Sequence, residues 1–61
     1  SLIDQLPYEQ KEVVKLRMYY DMSFKEIGIY SNVSINTALG RMRYALINLR
    51  KMMDENAIVT T

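Results

Sequence analysis

Ser23-Phe24-Lys25-Glu26-Ile27-Gly28-Ile29-Tyr30-Ser31-Asn32-Val33-Ser34-Ile35-Asn36-Thr37-Ala38 holds two helix starts and one helix end in a short span, and its reading decides the fold. Ser23 and Glu26 have the spacing of a capping box, in which the serine hydroxyl accepts from the Glu26 N–H and the carboxylate returns to the Ser23 N–H. A helix is therefore expected from Ser23, with Phe24, Ile27 and Tyr30 as its inward positions. Asn32 belongs to the few non-glycine types that enter the left-handed region cheaply, so it can end that helix, and Ser34 can cap the next. A join of about three residues forces the two helices to meet steeply, which is the helix-turn-helix arrangement. Gly28 sits mid-helix, where alanine would be favoured by about 1 kcal/mol. The expected reason is steric: without a Cβ, another helix can cross closely at that point.

Working outward, Pro7 suits the first position of a helix, and Glu9 and Glu12 suit the positive end of its dipole. This helix is expected from Pro7 to about Tyr20, with Val13, Val14, Leu16, Met18 and Tyr20 supplying its core face. Leu2, Ile3 and Leu6 precede it as a short helical turn packed over the domain. Beyond Ser34 the helical pattern continues without a proline to about Asn56, and Ala38, Met42, Ala45, Leu49 and Met52 form one stripe. A second apolar row, Leu39, Leu46 and Met53, runs beside it. Ala57 to Thr61 reads as a short tail with no assigned structure. The expected fold class is all-α: a small three- to four-helix domain over residues 1–61, containing a helix-turn-helix with a long C-terminal recognition helix. The chain lacks an initiator Met and begins within a helical pattern, so it is expected to be a fragment of a longer protein.

At 61 residues the chain is one domain with a thin core, since folding at this size hides only about 60% of the unfolded surface. It has no cysteine and no histidine, which removes disulfides and the usual transition-metal ligands; no metal and no cofactor are expected. No apolar run approaches the roughly 20 residues that cross a bilayer, and no basic-then-apolar leader is present, so the expected compartment is the cytoplasm, with no membrane partner. The net charge of +1 hides an uneven distribution. From Ser1 to Val33, four bases (Lys11, Lys15, Arg17, Lys25) face five acids (Asp4, Glu9, Glu12, Asp21, Glu26). From Ser34 to Met53 there are four bases (Arg41, Arg43, Arg50, Lys51) and no acid. Such a stripe attracts phosphates, although a solvated helix face can look the same.

An enzyme is not expected, because no nucleophile, phosphate-loop or metal motif frames the remaining acids, hydroxyls and lysines. The two-helix unit supports something more definite: an α-helix fits the DNA major groove with its N-terminal residues facing base edges. Ser34 to Tyr44 is the candidate reading segment. Asn36, Thr37, Arg41, Arg43 and Tyr44 can hydrogen-bond there, and Gly40 allows close approach of a sugar-phosphate backbone. Thr37 has a competing role in reinforcing the Ser34 cap. Lys25, beside the exposed amides that open the Ser23 helix, is the candidate phosphate clamp. Arg50 and Lys51 lie too far along the helix to stay in the groove.

Taken together, Leu6-Pro7, Asp21-Met22-Ser23-Phe24-Lys25-Glu26-Ile27, Val33-Ser34-Ile35-Asn36-Thr37-Ala38 and Arg41 through Leu49-Arg50 resemble region 4 of bacterial sigma-70-family RNA polymerase sigma factors, particularly the extracytoplasmic-function group. The resemblance covers nearly the whole chain. It implies recognition of double-stranded promoter DNA at the −35 element, contact with the β flap of the RNA polymerase core, and masking by an anti-sigma factor. It places Ser34, Asn36, Leu39, Gly40, Arg43 and Tyr44 at DNA-facing positions and Lys25 at a phosphate-side position. Leu39 stands where relatives commonly have a base, Gly40 where they have a small polar or amide residue, and Asn32 replaces the common turn glycine. Two other readings compete. One is the DNA-binding domain of a LuxR-type response regulator, against which the Leu-Pro start and the long Arg-rich final helix argue. The other is a helical interaction module that forms a homo-oligomer through Leu39, Leu46 and Met53.

Overall fold

The computed structural model describes the backbone of residues 1–60 and the side chains of residues 1–55. A 3-10 turn (Ile3–Gln5) leads into α1 (Tyr8–Met18), α2 (Phe24–Ser31) and a long α3 (Ile35–Thr60). This is the all-helical architecture expected from the sequence. The leading turn also packs as expected, with Leu6 buried and Ile3 against the core.

Three boundaries differ from expectation. Pro7 does not occupy the first helical position; its ψ of 149° is extended, and Tyr8 opens α1. The helix ends at Met18 rather than Tyr20, because Asp21 turns the chain through positive φ (55°) and the Met22 N–H reaches back to the Leu16 carbonyl at 3.1 Å. Arg17 clamps this corner: its Nη1 donates to the Met22 carbonyl at 2.9 Å and its guanidinium lies 5.2 Å from the Phe24 ring centroid. At the other end, α3 extends to Thr60, past the expected stop near Asn56 and through most of the stretch left as a tail; Thr61 lies outside the described residues.

Val13, Val14 and Leu16 of α1, Ile27 of α2, and Ala38 and Ala45 of α3 form the buried core with Leu6. Met42, Leu49 and Met52 pack against it, so the expected stripe of α3 does face inward. Met18 and Tyr20 do not. They stand 63% and 71% exposed, since α1 has reached its end and nothing covers them. Tyr30, expected to face inward, is likewise exposed. Polar ties hold the packing in register: Asn48 Nδ2 donates to Gln10 Oε1 at 2.7 Å between α3 and α1, and Ser31 Oγ donates to Glu12 Oε1 at 3.0 Å between α2 and α1.

The turn joining α2 to α3 is set by two backbone bonds. Asn32 is left-handed (φ 58°, ψ 46°), its N–H donates to the Ile29 carbonyl at 3.3 Å, and the Val33 N–H donates to the Gly28 carbonyl at 2.8 Å. These form a Schellman closure. The chain then passes so close over Gly28 that a Cβ there would sit 2.9 Å from the Val33 carbonyl oxygen and 3.5 Å from the Ile35 nitrogen. Gly28 is thus steric in role, and what crosses it is the turn itself. Replacing Gly28 with Ala sets a gain of about 1 kcal/mol in helix propensity against an overpacking cost of about 1–3 kcal/mol on backbone that cannot swing aside. The expected net result is destabilisation by up to roughly 2 kcal/mol in urea melts; a raised midpoint would refute the steric role.

Candidate nucleic-acid interface

Ser34 stands just before α3, and its Oγ accepts from the Thr37 N–H at 3.1 Å while donating to Thr37 Oγ1 at 3.0 Å. Both side chains are therefore engaged in the cap. The Thr37 side chain stands exposed beside the cap.

Burial of Ala38 and Ala45 fixes the rotation of α3. At 3.6 residues per turn, Asn36, Gly40, Arg43 and Ile47 fall on the opposite side, with Leu39 and Tyr44 on its two flanks. Asn36, Leu39, Arg43, Tyr44 and Ile47 are all exposed, as is Ile35 at the start of the helix. Ile35 is absent from the residues singled out in the sequence; its spacing of four from Leu39 is the signal that places it beside them. Gly40 differs from Gly28, since a Cβ there would meet nothing within 4 Å.

Arg41 and Arg43 are two residues apart and point to different places. Arg41 turns toward α1, where its Nη2 pairs with Glu9 Oε2 at 3.4 Å and its side chain is 24% exposed. Arg43 lies on the outward face with no ion pair among the described residues. Thr37, Gly40, Arg41 and Tyr44 line one groove with Pro7 and Tyr8 at the start of α1. On the other side, Lys25 lines a groove with Ile29, Asn32, Ser34 and Ile35. The structure thus brings Lys25 of α2 alongside the first turn of α3, and it ties Arg41 to α1 instead of leaving it outward.

Lys25 follows the Ser23 cap, which forms as a complete box. Glu26 N–H donates to Ser23 Oγ at 3.1 Å, and Ser23 N–H donates to Glu26 Oε1 at 2.8 Å. The Ser23 amide, and after it the Ser23 hydroxyl, hold the Glu26 carboxyl below the ordinary glutamate range. Lys15 similarly lowers Asp4 through a 3.2 Å hydrogen bond and its charge. No group of side chains suited to holding a metal ion occurs among the described residues, and none of their helices is long and apolar enough to cross a membrane.

Two helices joined by a three-residue turn, the second presenting an exposed, acid-free N-terminal face, define a helix-turn-helix DNA-binding domain. The family model described as Sigma-70, region 4 matches residues 2–51, and the chain belongs to that family. It is therefore a non-enzymatic DNA-binding domain of transcription initiation, and membership implies promoter −35 DNA and the RNA polymerase core as partners. No curated protein and no solved structure matches the chain.

The capping box makes part of the stability pH-dependent. A carboxylate lowered in the folded state stabilises fully above its unfolded value, and that contribution is lost as pH falls through the folded value. Urea midpoints of the parent chain should therefore fall on acidification below the ordinary glutamate range. Glu26→Gln should show a flatter acid limb; parallel curves would exclude the box as a source of acid sensitivity.

Proposed function

We propose that this chain is the −35-reading region 4 of a bacterial sigma factor of the extracytoplasmic-function group, one domain of a longer protein. It binds promoter duplex sequence-specifically by laying the N-terminal half of α3 in the major groove. The observation that carries the reading is the outward face of α3: Asn36, Gly40 and Arg43 lie opposite the buried Ala38 and Ala45, with Tyr44 on the flank, within a stretch that has four bases and no acid. Asn36 has the amide geometry that matches adenine, and Arg43 the fork that matches guanine. Ser34 and Thr37 bring the α3 N-terminus and two cap hydroxyls toward a phosphate, and Lys25 grips the strand beside them.

Arg41 takes the lesser part, because Glu9 already neutralises it. Leu46 and Met53 stand exposed on the flank of α3 beyond the reading segment. That flank is suited to a protein partner: the β flap, an anti-sigma factor, or a second copy. The role goes with a cytoplasmic location in a bacterium.

Binding to −35-type and scrambled duplexes across a salt series tests the reading. The −35 duplex should bind more tightly, with log affinity falling linearly in log salt. Lys25→Ala should weaken both duplexes equally and reduce the salt slope by about one. Arg43→Ala should cost about 1–3 kcal/mol on the preferred duplex alone, and Arg41→Ala much less. Equal affinity for the two duplexes, or no dependence on salt, would overturn the proposal.

A further inference from the structure

Ile35 and Leu39 are four residues apart on one side of α3, about 6 Å along its axis. They are 44% and 43% exposed, and neither is among the side chains packed on the hydrophobic core. Ile35 shares a groove with Lys25 on this side of α3, and Asn36 follows it toward the outward face, on which Gly40 also lies. A helix interior is weakened by glycine, and no atom within 4 Å of a Cβ at position 40 requires one. With no side chain at position 40, the outer surface of α3 can lie nearer to whatever it contacts. Nearness is the condition under which apolar side chains of medium length reach the floor of a groove.

In the major groove the apolar feature of the bases is the C5 methyl of thymine. Successive bases rise by about 3.4 Å, so an apolar pair separated by about 6 Å spans one to two steps. Charge favours the same occupant: the absence of acids from Ser34 to Met53 leaves nothing on this part of α3 to repel phosphates on either side of the groove.

We propose that Ile35 and Leu39 form a thymine-methyl-reading strip along the Lys25-side edge of the outward face of α3, with Gly40 setting the approach distance. The strip rests on the promoter-binding reading above and deepens it. It makes part of the specificity apolar and therefore insensitive to salt.

The test starts from the duplexes that the 61-residue chain selects out of a randomised pool. Each thymine in the selected site is then replaced by uracil, which removes only the methyl and keeps base pairing. Burial of one methyl corresponds to about a fourfold change in affinity, so uracil at one or two neighbouring positions should weaken binding by about that factor each. Ile35→Ala and Leu39→Ala should each abolish the uracil penalty at one position. Gly40→Ala should raise the urea midpoint of the free chain, weaken its binding and shrink both penalties. Sequence selection with no uracil penalty at any position would overturn the strip while leaving promoter binding intact. A chain that selects no sequence would overturn both. So would alanine variants that alter sedimentation while leaving the uracil penalties unchanged overturn the strip, since Ile35 and Leu39 would then serve a protein contact.

Discussion

The Val33 carbonyl oxygen lies 2.9 Å from where a Cβ on Gly28 would stand, and this approach fixes how the chain leaves α2. With the turn pressed onto the helix it has just left, Asn32 must supply the left-handed residue and Val33 must return its N–H to Gly28. Ser34 then emerges in position to cap α3 through the Thr37 N–H. The direction of α3 relative to α2 is thus set by backbone contacts, which tolerate little adjustment. A side chain at Gly28 would act on that direction before it acted on any residue that faces DNA.

Direction alone does not decide which face of α3 is presented. The two alanines do, because Ala38 and Ala45 are fully buried and their small side chains let α3 lie close to α1 and α2. Larger residues at these points would hold α3 away and enlarge the gap that a thin core has to fill. Gln10 to Asn48 and Glu9 to Arg41 then tie one flank of α3 to α1, which resists rolling about the helix axis. The outward position of Asn36, Gly40 and Arg43 is a consequence of these constraints on the opposite side.

Much of this was legible in the sequence where the signal is local. The Ser23 to Glu26 box, the left-handed Asn32, the Ser34 cap and the alanine stripe each depend on a few neighbouring residues, and each has the expected geometry. The misplacements arise where tertiary contact decides. Periodicity puts Val13, Val14, Leu16, Met18 and Tyr20 on a helical pattern, but it does not say where the covering helices stop, and Met18 and Tyr20 lie past that limit. Arg41 and Arg43 look alike in a basic stretch. Two residues correspond to about 200° of rotation, which is enough to send one to Glu9 and leave the other outward. Whether Gly40 had a packing role was equally undecidable before the space around it was known.

The distribution of charge bears on how such a domain can act. Near the reading end of α3, Glu9 offsets Arg41, and Arg50 and Lys51 lie about two turns beyond Arg43. Lys25 and Arg43 are left beside that end as cations with no ion pair among the described residues. Two cations neutralise at most two phosphates and release few counterions, so electrostatics contributes only modest affinity at physiological salt. Tethering supplies what the charges do not. A domain held on the polymerase core meets promoter DNA at an effective concentration on the order of millimolar, and weak intrinsic binding then suffices for occupancy. Under that condition, contacts that discriminate between sequences matter more than contacts that merely attract, and a reading face with few charges and an open glycine is suited to the task.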